Sequence, residues 1–412
     1  MYTYCTRPGL SARGRAPRRV VLALALSVLA LGFVSVGSAR ASDTSAEAST
    51  LGPAPAPWPE GLLDTVATIP IQSEGRVKPL HTWARYTLLG FNHRASAIDA
   101  WGRRQQPLAW MLDALLRPEA ARHTTCFLVP DDEVLDAIGL PRRADKKKRD
   151  RYTYEDLLPA RSELRDMGSQ FAHMEATDRT RIQTYIMELA HDVSRFEGLL
   201  SFLEFADDRA GGIPVGGALA DIFEGRDKVG AVDFLAQAPA IVALARTAAP
   251  EAHAAEGALG VALQELTSAL GTSRALRLLP PADAAAETWL TPYDIASQTL
   301  MGRDPMPPAH LTMLKALRDA ATQRDDPAAV EEALVRFSEA STSLADSRGE
   351  YDKIGLEVWL ARFDPFFKAL WIYVAAFLLL AFSWLRTNRW LSRGAIALLV
   401  VGLLLHIAGI TV

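Results

Sequence analysis

Along most of this chain apolar residues return every three or four positions, the period of a helix laid against a core. The clearest run is Ile182, Ile186, Leu189, Val193, Phe196, Leu200 and Leu203, separated by 4, 3, 4, 3, 4 and 3. That spacing predicts a helix with a narrow apolar seam over three heptads. Three heptads are marginal alone, so the partner is expected to be a helix of the same chain rather than a second copy. Another helix is punctuated at both ends. Asp326-Pro327 supplies an N-cap and an N1 proline, Val330, Leu334, Phe337 and Leu344 share a face, and Gly349 ends it. Further helical patterns cover 80–91, 104–117, 229–248, 256–270 and 309–323. Strand signals are confined to 69–72 and 125–129. The expected fold is mainly α, a helical body with minor β.

The two ends differ from this body. Residues 366–385 and 391–412 are apolar runs of the length that spans a hydrocarbon core. Arg386, Arg389 and Arg393 cluster at the turn between them without an acidic residue, which puts the 386–390 loop in the cytoplasm. At the other end, Arg7, Arg13, Arg15, Arg18 and Arg19 precede an apolar stretch, 20–36, and the small-residue site Ala39-Arg40-Ala41. This is the layout of an export signal, cleaved after residue 41. A Pro/Ala-rich linker, 42–59, then leads to an exported domain, 60–350, and a juxtamembrane segment, 351–365. Both ends imply a bacterial cytoplasmic-membrane protein whose large domain lies on the outer side. With no polar residue after the second run, the ending resembles a chain cut before further spans.

Composition removes several function classes. Net charge is −4 and the pI near 6.1, so no nucleic-acid partner is implied. Loss of Cys5 with the signal leaves Cys126 alone, without an intrachain disulfide, a C-x-x-C redox pair or a C-x-x-C-H haem attachment site. His81, His93, His123, His173 and His191 show no zinc spacing, and no G-x-S-x-G, H-E-x-x-H or P-loop pattern is present. Asp131-Asp132 and Asp207-Asp208 sit in polar surroundings that suit turns, and the basic run 142–151 reads as a solvated loop that would otherwise touch lipid headgroups. The expectation is a protein without catalysis of its own.

One stretch asks for more explanation: "IPIQSEGRVKPLHTWAR", residues 69–85. Its core, Gly75-Arg76-Val77-Lys78-Pro79-Leu80, followed by Thr82 and Ala84-Arg85, resembles a motif near the start of the exported domain in CcsA/ResC-type (System II) cytochrome c biogenesis proteins. Trp289 in "ETWLTPYD", the approach "YDKIGLEVWLARFDPFFKALWIYVAAFLLL" and the ending "LLLHIAGITV" are similar to later landmarks of those proteins. The resemblance implies a place in haem delivery to apocytochrome c outside the membrane. It also implies partners: a polytopic haem-handling CcsA-type subunit, a ResB-type subunit, apocytochrome c and membrane lipid. The family's tryptophan-rich loop and further histidine-bearing spans are missing from this chain, so haem is expected through a partner complex and the role is that of a scaffold or docking module.

Two site readings follow. Arg76 and Lys78 stand before Pro79 and the 80–91 pattern, where two cations at a helix entrance would bind an anion such as a haem propionate or a partner carboxylate. The alternative is that Arg76 pairs with a local acid and Pro79 merely starts the helix. His406 is an ionisable residue inside a span, about 9 Å along a helix from the chain end, and is either a haem-iron ligand or a hydrogen-bond partner of a neighbouring helix. A periplasmic interaction module unrelated to cytochromes is the remaining alternative.

Overall fold

The seam helix forms where its spacing requires. The computed structural model describes residues 52–142, 150–247, 253–301, 305–385 and 389–410. The signal, the first part of the linker, Arg386 and most of the basic run lie outside the described residues. Helix Arg181–Leu200 starts with a reciprocal capping box between Thr180 and Gln183, which satisfies two of its free N–H groups. It buries Ile186, Leu189, Val193, Phe196 and Leu200. Its partner is the preceding helix of the same chain, Arg161–Ala172. The two approach so closely at Gly168 that a Cβ there would collide with that of Ala190. Phe196 is the centre of an aromatic cluster with Phe91, Trp110, Phe127 and Tyr154, at centroid distances of 5.4 to 6.4 Å. Such contacts add to area burial.

A second helix pair, Pro308–Thr322 and Pro327–Ser347, packs against Glu60–Ala67. Asp326 caps the longer helix through the N–H groups of Ala328 and Ala329. At the other end Gly349 adopts φ +68°, and Glu350 and Gly349 donate to the carbonyls of Ala345 and Asp346. This is a Schellman stop, and it fixes the direction in which Arg348 and Glu350 leave the helix.

Some boundaries differ from the periodicity. The 104–117 pattern divides into a strand, Arg104–Gln105, and a helix, Pro107–Leu116. The 229–248 pattern is two helices, Ala231–Ala236 and Ala238–Thr247, which meet at Gln237. All strands among the described residues form two-stranded antiparallel sheets. The helices and hairpins share one apolar core running from Trp58 to Val358.

Beyond the body stand two helices long and apolar enough to cross a membrane, Pro365–Leu385 and Arg389–Ile410. They pack through small residues: Ala369, Ala376 and Ser383 on one, Ala395 and Gly402 on the other, each seven positions apart. A seven-residue repeat of small side chains lets two apolar helices touch along a left-handed seam. The juxtamembrane segment is itself helical at Ile354–Phe363, and Asp364, at φ 46°, breaks it from the first long helix.

Candidate functional site

Arg76 and Lys78 do not stand at a helix mouth in the sense expected. They belong to a strand, Arg76–Pro79, paired antiparallel with Pro70–Ser73 in the register Ile71 to Lys78 and Ser73 to Arg76. Glu74 and Gly75 make the turn with φ of 55° and 74°. Positive φ at both central residues is the primed turn that fits strand twist, and Gly75 supplies the second at no steric cost. Pro79 closes the strand, and Leu80, first residue of helix Leu80–Asn92, donates its N–H to Ile69.

Both cations have acidic partners. Lys78 lies with its stem buried, 12% exposed, and its Nζ 3.0 Å from Glu74. The hydrogen bond from Lys78, then its charge, hold the Glu74 carboxyl below the usual range. Arg76, 57% exposed, reaches Glu357 of the juxtamembrane helix at 3.1 Å. Its acid is therefore remote in sequence, not local.

The other face of the hairpin binds the segment around Trp289. Gln72 donates its side-chain amide to the carbonyl of Glu287 at 2.7 Å and accepts from the N–H of Trp289 at 2.8 Å. Its own backbone N–H bonds Arg277. Trp289 is fully buried, and its indole N–H donates to Glu350 at 2.8 Å. Arg348 grips the same carboxylate at 3.0 and 3.1 Å and donates to the carbonyls of Pro281, Asp283 and Ala286. Burial pushes the Glu350 carboxyl up, but the bonds from Arg348 and Trp289 outweigh it and hold the group below its ordinary value. Downstream, Arg85 donates to the carbonyl of Ala361 at 3.5 Å, and Arg362 pairs with Asp64 at 2.7 Å. One bonded joint thus unites the 75–85 motif, Trp289 and the 350–362 approach to the long helices.

A cleft of about 540 Å³ opens beside the hairpin tip, lined by Ser73, Glu74, Trp83, Arg274, Arg277 and Glu287. The Arg274 guanidinium lies 3.6 Å over the Tyr293 ring. Aromatic surface and exposed guanidinium groups of this kind suit polypeptide recognition. Arg274, Gln72 and Glu357 carry no local pattern that would single them out; only the fold assembles them.

His406 is exposed on the second long helix, its ring edge-on to Phe366 at 5.2 Å and tilted to Tyr373 at 6.4 Å. It is level with Phe366, hence at the end of the helix pair nearest the body. A neutral imidazole is a competent haem-iron ligand, and His406 is the side chain of this helix pair that would supply it. His81 is half-buried on helix Leu80–Asn92. Burial, then Arg362 and Arg85, lower its pKa, and its Nδ1 is buried without a hydrogen bond.

The remaining candidates are structural or separate. Asp131 caps a helix and pairs with Arg181, and Asp207 binds Arg209 and Arg324. The Cys126 thiol is buried, which pushes its pKa up. His93 and His191 line a second cavity of about 300 Å³ with Glu188 and Asp192. Burial raises Asp192 to about 7 against the pull of Arg195. Among the described residues no group of three or more His, Cys, Asp and Glu side chains is placed to hold a metal ion. No family model matches the chain, and no curated protein matches its sequence.

Proposed function

We propose that this chain is a membrane-anchored exported module of cytochrome c maturation, a scaffold that positions apocytochrome c or a polytopic haem-handling CcsA-type subunit, with a ResB-type subunit as a further partner. The reading is supported by one observation above all. The stretches that resemble System II proteins, distant in sequence, are bonded to one another through Gln72 with Trp289 and Arg76 with Glu357. A motif that served only its own turn would have no reason to meet the other two. In this reading the two long helices cross the cytoplasmic membrane, the body lies outside it, and the cleft beside Trp83 and Arg274 receives the partner. The module does no chemistry of its own; haem belongs to the partner complex.

The test is purification of the tagged full-length chain from native membranes in mild detergent, with the absorbance spectrum and co-purifying proteins read together. A polytopic tryptophan-rich partner recovered with a Soret band is the expected result, and it should be lost in Arg274→Glu. A chain recovered alone and colourless under conditions that preserve other membrane complexes overturns the proposal.

A second reading, direct haem ligation, is favoured by the exposed imidazole of His406 at the body end of the spans. It requires that His406→Ala abolish haem absorbance in the isolated chain. An unaltered Soret band removes it.

A further inference from the structure

Helix Ile354–Phe363 has two apolar faces where a surface helix has one. Its inner face, Ile354 and Val358 with Glu357 and Ala361, sits on the Arg76–Pro79 strand and helix Leu80–Asn92. At 100° per residue, Leu356, Trp359 and Phe363 fall within a 60° arc on the opposite side, with Leu360 at its edge. The outer face of a helix on a water-soluble body is ordinarily polar. Here Leu356 is 48% and Trp359 56% exposed, and the Trp359 ring stacks on Phe363 at 5.0 Å and 6°.

We infer that this outer face docks into the headgroup boundary of the lipid bilayer, as an interfacial helix joined to the first span. The inference rests on the proposed crossing of the membrane by the two long helices. Three observations favour lipid over a protein partner. The apolar arc continues past Asp364 into the exposed rings of Phe366, Phe367 and Trp371, so it is contiguous with the surface that the spans offer to acyl chains. Lys368 folds back with its Nζ 3.6 Å over the Phe363 ring, which carries its charge towards the headgroup level. Exposed Lys353 precedes the helix, adding a second cation to the aromatic belt. Because Arg76 and Arg85 bond the opposite face of this helix, the hairpin is held just above the bilayer. The body is thereby fixed in orientation to the membrane, not tethered by a free linker.

The test uses the full-length chain in phosphatidylcholine–phosphatidylglycerol vesicles, with single cysteines at Leu356→Cys, Trp359→Cys, Phe377→Cys and Tyr86→Cys carrying a nitroxide; the parent chain sets the background. Collision with oxygen is compared with collision with a water-soluble nickel chelate. The oxygen-to-nickel ratio at 356 and 359 should exceed that at 86 severalfold and fall below that at 377. Values at 356 and 359 equal to that at 86, with 377 still deep in lipid, overturn the interfacial helix and leave the spans standing. A water-exposed 377 overturns the membrane anchoring and the interfacial helix together.

Discussion

Replacing Trp289 with phenylalanine is the most direct trial of the bonded joint. The indole is fully buried and its N–H meets the Glu350 carboxylate at 2.8 Å. A hydrogen bond to a charged group contributes about 1.5–3 kcal/mol, and the carboxylate oxygen that loses it keeps the bond from Arg348. Phenylalanine keeps most of the apolar contact, so the smaller ring adds about 1 kcal/mol, well below the ~3–5 kcal/mol of complete truncation. The expected loss is about 3 kcal/mol. For a body of this size each kcal/mol moves Tm by roughly 2 °C, so the melt should fall by roughly 6 °C. The assay is far-UV circular dichroism of the detergent-solubilised full chain. Glu350→Ala completes the measurement: it removes both the acceptor of the indole N–H and the partner of Arg348. The double variant should lose less than the sum of the singles by about 1–2 kcal/mol, since both changes break the same contact. A Trp289→Phe melt within a degree of the parent, or strictly additive singles, would refute the coupling on which the joint is built.

Other outcomes follow from neighbouring contacts. Arg76→Ala should cost no more than about 1 kcal/mol by the same melt, because its ion pair with Glu357 is largely solvent-exposed on the arginine side. A larger loss would mean that the pair is worth more than its exposure allows. Gly402→Leu should separate the two long helices, since even a Cβ at that position comes within 2.7 Å of the Tyr373 ring; crosslinking between cysteines introduced at 376 and 395 should fall. Acid should weaken the joint through His81. Its pKa is lowered in the folded chain, so below the ordinary histidine value of about 6.5 the unfolded chain takes up the proton first and stability declines as pH falls. His81→Asn should flatten that part of the Tm-against-pH curve, and an unchanged slope would exclude His81 as a source.

Much of the helical body was legible because its apolar residues face one way. The seam from Ile186 to Leu200 and the Asp326–Gly349 punctuation translate directly into buried faces and caps. The strand Arg76–Pro79 was not legible, since four residues of half-buried, charged sequence carry no alternation strong enough to read, and its turn uses Glu74 where Asn or Asp would have signalled a hairpin. Helix Ile354–Phe363 escaped for the opposite reason: with apolar residues on both faces it lacks the contrast from which a period is read. The partners of Arg76 and Trp289 lie 281 and 61 residues away, beyond any local spacing rule.

What the joint does mechanically follows from which of its contacts are buried. Trp289 is buried, and Arg348 and Glu350 are only 7% and 26% exposed, so together they hold the 277–290 segment to the end of helix Pro327–Ser347. Arg76–Glu357 and Arg362–Asp64 have exposed arginines, so each contributes little to stability. The body is therefore tightly knit around Trp289, while the charged contacts to the juxtamembrane helix add a light latch to the packing of Ile354 and Val358. A light latch gives way first under load or when a competing anion reaches Arg76. A partner carboxylate at the hairpin would compete with Glu357 for the same guanidinium, coupling occupancy at the hairpin to the seating of helix Ile354–Phe363 against the body. Glu357→Gln should reproduce that state without a partner: the body keeps its melt, while a nitroxide at 359 becomes more mobile. If the label stays as immobile as in the parent chain, the latch is not where the helix is held.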